Sequence, residues 1–272
     1  MTCSNSIGLG LAAVTISLCA APVLAASPPI ANKAAPRPTA PPITGAGTLN
    51  GVWNNSEFKT YRTGPPVGAE RAIPTADGKP IPFQPSAAAL IEANRKSAAE
   101  GRPVASNGSF CLPNGMPAMM RPPIQLPLQI VETPDQKQIT VLFEFYGTFR
   151  IIRMNEKHPE DPDPSFMGNS VGHWEGKTLV VDTIALSGKT TVAGAPHGED
   201  LHLVERIRRI GPDALEDRIT ITDPKTFTRP WTMVVKLKRV PGMRIQEYVC
   251  ENQRNGVDEH GNTGVQIQTS AP

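Results

Sequence analysis

From Leu126 onward, runs of β-branched and aromatic residues alternate with short stretches typical of turns. The runs predict strands, and the short connections predict antiparallel hairpins, because a parallel crossover needs a dozen residues or more. With a first strand at residues 51–53, the pattern predicts about nine strands. The other runs are LQIVET, ITVLFEF, TFRIIRM, TLVVDTIAL, LHLVERIRRI, LEDRITITD, WTMVVKLKRV and RIQEYVC. Nine twisted strands close into a barrel or fold into two packed sheets, because open edges promote aggregation.

One segment has a helical pattern instead. Residues 86–100 read SAAALIEANRKSAAE, with Ser86 as a candidate N-cap and Gly101 where a C-cap would lie. We therefore expect a mainly β protein with one short helix near residues 86–100.

The N-terminal residues 1–26 have a polar start, an apolar run and small residues before a cleavage point, which is typical of a signal peptide. This predicts a periplasmic or secreted protein with no stable membrane insertion once the signal is removed. The alternative is an uncleaved anchor, because the run is just long enough to span a bilayer. Residues 27–48 are rich in proline and alanine and predict a disordered tether. An antiparallel β domain at 49–254 and a flexible C-terminal tail at 255–272 complete the predicted organisation.

Charge and cysteine content narrow the possible partners. The chain has 27 Lys and Arg against 25 Asp and Glu, so the net charge of +2 gives no reason to expect nucleic acid or an acidic surface as partner. After signal removal only Cys111 and Cys250 remain. In an oxidising compartment they predict one disulfide; the alternative is two separate buried thiols.

The alternation of apolar and polar residues in one predicted hairpin indicates which side chains could point into the barrel. One face of residues 139–146 is wholly apolar, and the other carries Glu144 and Tyr146 among its members. If the second face points inward, these two side chains project into a cavity and contact a ligand. If the apolar face points inward, they are ordinary solvent-facing residues.

The opening of the first strand, Gly51-Val52-Trp53, resembles the G-x-W that starts lipocalin-type barrels, where the tryptophan packs across the closed end. A wider set of segments is similar to a large group of uncharacterised exported bacterial proteins: CLPNGMPAMM, HPEDPDPSFMGNSVGHWEGKTLVVDT, PHGEDLHLVERIRRI and DPKTFTRPW. The similarity spans about residues 50–254. It implies a lipocalin-like barrel and implies no particular activity.

Four of the five histidines lie beside acids in segments that the pattern assigns to loops. The prolines of HPEDPDP fix the backbone around an imidazole and three carboxylates, a geometry that suits acid–base catalysis. The alternative is a rigid, solvated turn. The predicted catalytic residues are His158, Asp161, His173, Glu199 and His202.

A metal centre is not expected, and neither is a cofactor. His197 and His202 frame an H-x-E-x-x-H string, but they are five residues apart and point to opposite sides of an extended chain. The alternative is a divalent cation held by loop carboxylates at Asp161, Asp163 and Glu199.

Several side chains are candidates for ligand contact. Met119 lies in a segment that lines a pocket mouth or plugs the barrel. Trp174 stacks on a flat ligand or packs in the core. Arg150 binds an acidic group of a ligand inside the cavity or lies on the outer surface of the protein. The predicted ligand-binding set is Glu144, Tyr146, Arg150, Trp174, His197 and Met119.

The chain lacks G-x-S-x-G, a glycine-rich phosphate loop and C-x-x-C, which argues against elbow-type hydrolases, nucleotide enzymes and thiol redox proteins. The sequence favours a periplasmic small-molecule enzyme that performs cofactor-independent acid–base chemistry of the lyase, isomerase or hydratase type in a barrel pocket. In that hypothesis Arg150 or Tyr146 stabilises developing negative charge. The alternatives are a carrier for a small apolar or aromatic ligand and a structural domain without a ligand.

Overall fold

A computed structural model describes residues 48–55, 73–105, 107–121, 126–133 and 135–250. The predicted signal peptide, the tether up to residue 47 and the predicted C-terminal tail lie outside the described residues. The described part is mainly β with one α-helix, as predicted, and α1 is Pro85–Ala99. The strands are β1 (Gly51–Asn55), β2 (Leu128–Glu132), β3 (Gln138–Phe143), β4 (Thr148–Met154), β5 (Asn169–Glu175), β6 (Thr178–Ile184), β7 (Thr191–Val192), β8 (Ala195–Pro196), β9 (His202–Gly211), β10 (Ala214–Thr222) and β11 (Trp231–Arg239).

Nine strands form a closed barrel in the order β1-β11-β10-β9-β6-β5-β4-β3-β2, and β7 pairs with β8 in a separate two-stranded sheet. An odd number of strands cannot close with every neighbour antiparallel, because strand direction alternates at each step. The exception falls at β4 and β5, which are parallel over residues 152–154 and 170–172. Residues 155–168 supply the long connection that a parallel pair requires, and we call them the crossover.

The predicted number of barrel strands is correct, but one member differs. Residues 244–250, the RIQEYVC run, form no strand, whereas β5 lies in a segment without a β-branched run. Gly172 explains the difference, because a Cβ added there would approach Cγ2 of Ile152 to 2.8 Å. Glycine weakens the strand pattern in the sequence, yet here it allows β5 to lie close against β4.

Helix α1 begins one residue before its predicted start. Pro85 occupies the first helical position, where its missing N–H and fixed φ are tolerated, so Gln84 is the N-cap. The prediction of Ser86 as N-cap is therefore wrong. At the other end Gly101 has a φ of 78°, and the Arg102 N–H donates to Ser97 O at 2.9 Å. This left-handed glycine ends the helix as expected.

Trp53 closes one end of the barrel. Its side chain is fully buried and donates from Nε1 to Leu49 O at 2.9 Å. The guanidinium carbon of Arg239 lies 5.0 Å from the ring centroid, and that of Arg209 lies 5.9 Å away. The two arginine cations lie over the buried indole.

Cys111 and Cys250 form a disulfide, as predicted, with their Cα atoms 5.6 Å apart. The bond joins the 107–113 region to the end of the described chain, which is irregular rather than a strand. None of the helices in the described ranges is long and apolar enough to cross a membrane.

Candidate functional site

A pocket of about 830 Å³ lies at the barrel end opposite Trp53. Trp231 and Met233 of β11 contribute to its wall, whereas Arg239 at the far end of the same strand pairs with Trp53. At about 3.3 Å per residue, the eight residue steps from Trp231 to Arg239 separate the two ends by roughly 26 Å. We call this cavity the mouth pocket.

The segment before α1 forms one side of the mouth pocket by pairing with the start of β11. β1 pairs with β11 over residues 237–239, at the other end of that strand. At the start of β11, Thr75 bridges to Met233, and backbone hydrogen bonds of 2.8 and 2.9 Å join Ala76 N to Thr232 O and Val234 N to Pro74 O. The chain from residue 73 to 83 is thus fixed along the rim.

The lining of the mouth pocket combines an apolar surface with a few positive or donating groups. Its apolar side chains include Ile81, Phe83, Ile91, Val192, Trp231 and Met233. Within the described part of the chain, the charged side chains that line it are Lys79 and Arg121, both cations. The buried Trp231 Nε1 has no hydrogen-bond partner among the described residues. Such a cavity accepts an apolar molecule that carries a hydrogen-bond acceptor or a negative charge.

Two of the predicted catalytic histidines converge on one carboxylate. His158 Nε2 lies 2.9 Å from Asp182 Oδ1, and His202 Nε2 lies 2.8 Å from Asp182 Oδ2. The Nδ1 atom of His158 is 2.7 Å from Asn169 Oδ1. We call His158, Asp182 and His202 the histidine cluster.

The histidine cluster lies on the outside of the barrel wall. Leu203 and Thr183 are fully buried, so their neighbours His202 and Asp182 point outward by strand alternation. His158 reaches them from the crossover, and none of the three lines the mouth pocket. The cluster is therefore spatially separate from the cavity.

The other predicted catalytic residues lie elsewhere. His173 is on β5 rather than in a loop, and its exposed ring is 3.3 Å from Glu175. Asp161 and Glu199 are exposed and make no hydrogen bond or ion pair with another described residue. The structure therefore does not bring Asp161, His173 or Glu199 to the histidine cluster; their catalytic roles stay predictions.

Glu144 and Tyr146 belong to the turn between β3 and β4, since β3 ends at Phe143. The apolar face of β3 points inward, which was one of the two alternatives. Glu144 Oε2 accepts from Gln246 N at 3.0 Å. Tyr146 packs against Phe145 and Tyr248, and burial together with Tyr248 raises its pKa to about 12.

The remaining members of the predicted ligand set are packed in the protein. Met119 is fully buried, and Trp174 is partly buried against the core. His197 is buried, with Nε2 2.8 Å from Thr190 Oγ1 and Nδ1 2.7 Å from Gly198 O. These contacts anchor the loop around β7 and β8.

Arg150 lies inside the barrel at the centre of a polar cluster. Nη1 donates to Glu205 Oε1 at 2.9 Å, and Nη2 donates both to Glu205 Oε2 and to Thr183 Oγ1, the latter at 2.7 Å. Nε donates to Ser170 Oγ at 3.0 Å. Every guanidinium nitrogen is thus satisfied by the protein itself. Its predicted roles as a ligand contact and as a catalytic cation stay predictions.

Asp217 lies next to this polar cluster and is fully buried. Burial raises its pKa well above the usual range; the charge of Glu205 and a carboxyl–carboxyl contact raise it further, and Arg150 opposes them. Neither Asp217 oxygen accepts a hydrogen bond from a described residue.

The sequence analysis did not identify Glu205, Asp217 or Asp182, although the strand pattern contains an indication of each. Glu205 and Asp217 occupy positions whose neighbours two residues away are inward-facing aliphatic residues. Asp182 interrupts the run TLVV within TLVVDTIAL. For Glu205 and Asp217, a charged residue at an inward strand position, where apolar residues are expected, indicates a paired or functional group.

No three His, Cys, Asp or Glu side chains within the described ranges are grouped so that they hold a metal ion. No protein-family model matches the chain, and neither a curated protein nor a solved structure resembles it significantly. The barrel is consistent with a lipocalin-like fold, whereas membership of the exported bacterial group gains no support from these comparisons.

Proposed function

We propose that this protein binds a small molecule with an apolar body and an anionic group in the mouth pocket. The composition of the pocket lining carries the proposal. Aromatic and aliphatic side chains surround Lys79, Arg121 and the Trp231 N–H, which has no partner among the described residues, and the lining residues that the structure describes include no acid. A volume of about 830 Å³ lies within the range of small-molecule sites.

Apolar burial supplies most of the expected affinity. A ligand that buries roughly 200 Å² of apolar surface gains about 5 kcal/mol before the cost of association is subtracted. The cations add orientation and selectivity, because a hydrogen bond to a charged group contributes about 1.5–3 kcal/mol. Ligands of equal length and opposite charge should therefore differ strongly in affinity.

Export supports a carrier role outside the cytoplasm. The N-terminal pattern predicts a signal peptide, and the Cys111–Cys250 disulfide suits an oxidising compartment. We propose a periplasmic or secreted location on these two grounds.

The experiment compares decanoate with decylamine by isothermal titration. We expect decanoate to bind at least about tenfold more tightly, and Arg121→Gln to remove most of that preference. Arg102→Gln, which changes an exposed arginine outside the pocket, is the matched control. Ala118→Phe fills the pocket and should weaken both ligands. Equal binding of the two ligands, or unchanged binding by Ala118→Phe, contradicts the proposal.

A second candidate function rests on the histidine cluster. An imidazole held by a carboxylate within about 3 Å is the arrangement of a general base and its orienting group. His158 and His202 each contact Asp182 at such a distance. This supports acid–base chemistry at the outer wall instead of in a barrel pocket.

Untargeted metabolite incubation tests this second candidate. Turnover present with wild type and with His173→Ala, but lost with His158→Ala, is the expected result. His173 is a matched control because it is an exposed histidine on the same wall that does not contact Asp182. Product profiles that are the same for wild type and His158→Ala would exclude catalysis by this cluster.

A further inference from the structure

Positive charge is concentrated on one side of the barrel. Alternation places five cations and one acid at outward positions of β9, β10 and β11: Arg206, Arg208, Arg218, Lys236, Lys238 and Glu216. The outward positions of β2, β3 and β4 carry one charged residue, Arg153. We call the outer face of β9–β11 the basic wall. The net charge of +2 for the whole chain conceals this segregation.

The basic wall places like charges opposite each other. Arg206 pairs directly with Arg218 across β9 and β10, an arrangement that is unfavourable for a sheet. Glu175 forms an ion pair with Arg206 at 2.7 Å, and Glu216 forms one with Arg208 at 2.9 Å. Arg218 makes no ion pair with any described residue. A wall that needed only solubility would mix the two signs.

The end of the basic wall also exposes an apolar side chain. Ile210, the last outward position before the β9–β10 turn, is 45% exposed, and Pro212 in that turn is exposed too. Lys177 is exposed in the neighbouring turn between β5 and β6. Cations beside an exposed aliphatic tip are typical of surfaces that meet a lipid headgroup region.

We propose that the basic wall binds the anionic headgroups of a lipid bilayer, with Ile210 at the headgroup boundary. A nucleic acid fits less well, because the outward positions of β9–β11 include no Phe, Tyr or Trp side chain on which a base could stack. The wall does not include any residue of the mouth pocket, so this inference is independent of the proposed ligand.

Co-sedimentation of the full chain with vesicles tests the proposal. We expect binding when phosphatidylglycerol replaces part of the phosphatidylcholine, little binding to phosphatidylcholine alone, and release by salt. Removing one surface cation lowers membrane partitioning roughly fivefold, so R206Q/R218Q/K238Q should lose about a hundredfold. The control K137Q/K157Q/K189Q changes the net charge equally at exposed sites outside the wall and should bind like wild type.

Two further measurements separate lipid from other anions. Ile210→Ser should weaken vesicle binding while leaving binding to heparin unchanged. Equal effects of the two triple variants, binding to neutral vesicles, no binding to anionic vesicles, or an Ile210→Ser protein that binds anionic vesicles like wild type would overturn the proposal. Thermal unfolding of each variant verifies that it is folded.

Discussion

Arg150 and Glu205 form a bidentate ion pair inside the barrel, where their side chains are 1% and 0% exposed. Thr183 and Ser170 accept one further guanidinium hydrogen each. A pair enclosed in this way has little access to water, so removing one partner leaves the other as an uncompensated charge.

Glu205→Gln should lower the free energy of unfolding by about 3–5 kcal/mol, measured by urea denaturation. The double variant Arg150→Met with Glu205→Leu should recover much of that loss, because it removes both charges of the pair. Glu92→Gln, which breaks an exposed pair with Arg95, should change stability little. A double variant that is as unstable as the two single losses combined would contradict this account of the pair.

Asp217 should make stability fall as pH rises. Its pKa is raised above the unfolded value of 3.8, first by burial and then by Glu205, so the folded state holds the proton more tightly. The destabilising contribution is absent below the unfolded pKa and grows as pH rises toward the folded pKa. Asp217→Asn should therefore gain stability relative to wild type across that range. A stability difference that is constant with pH would argue against a raised pKa.

The disulfide between Cys111 and Cys250 closes a loop with a sequence separation of 139 residues. Cys111→Ser with Cys250→Ser should lower the free energy of unfolding by about 2–4 kcal/mol, because a crosslink restricts the unfolded chain. The measurement is urea denaturation of wild type and variant under oxidising conditions. Under a strong reductant the two proteins should unfold at the same urea concentration. If the variant remains less stable than wild type under reduction, the loss of stability comes from the serine side chains and not from the missing disulfide.

The histidine cluster should hold the crossover against the wall. Asp182→Ala removes the partner of His158 and His202, so the crossover should open about tenfold more often. Trypsin cleavage after Lys157 measures that opening. Cleavage after Lys189, in an exposed turn away from the cluster, serves as the internal control. Equal cleavage rates after Lys157 in wild type and variant would show that the cluster does not anchor the segment.

Much of the fold follows from local patterns. Strand runs, turn residues and the G-x-W opening predicted a closed, mainly β barrel, because alternation and short connections are local properties. The parallel pair was not predicted, since β5 contains Gly172 and lacks a β-branched run. The close approach of Gly172 to Ile152 is a tertiary contact, which the residues next to Gly172 in the sequence do not predict.

The site was less accessible from the sequence. His158 and His202 were identified, but their shared partner Asp182 becomes apparent only when β6, β9 and the crossover are placed together. Of the mouth pocket, the sequence indicated only the segment around Met119, because the rest of the lining comes from segments far apart in the chain, such as Lys79 and Trp231. The sequence also left open whether Arg150 is buried, because strand alternation alone does not show which face of β4 points into the barrel.

Nuclear magnetic resonance of the indole N–H groups tests ligand binding most directly. The chain has three tryptophans, Trp53, Trp174 and Trp231, so Trp→Phe variants assign each signal. Only Trp231 lines the mouth pocket, and its Nε1 has no protein partner among the described residues. On adding decanoate, the Trp231 signal should shift downfield and saturate while Trp53 and Trp174 stay unchanged, and decylamine should have little effect. A Trp231 signal that does not move with decanoate, or that moves equally with decylamine, would contradict an anion-selective pocket at the barrel mouth.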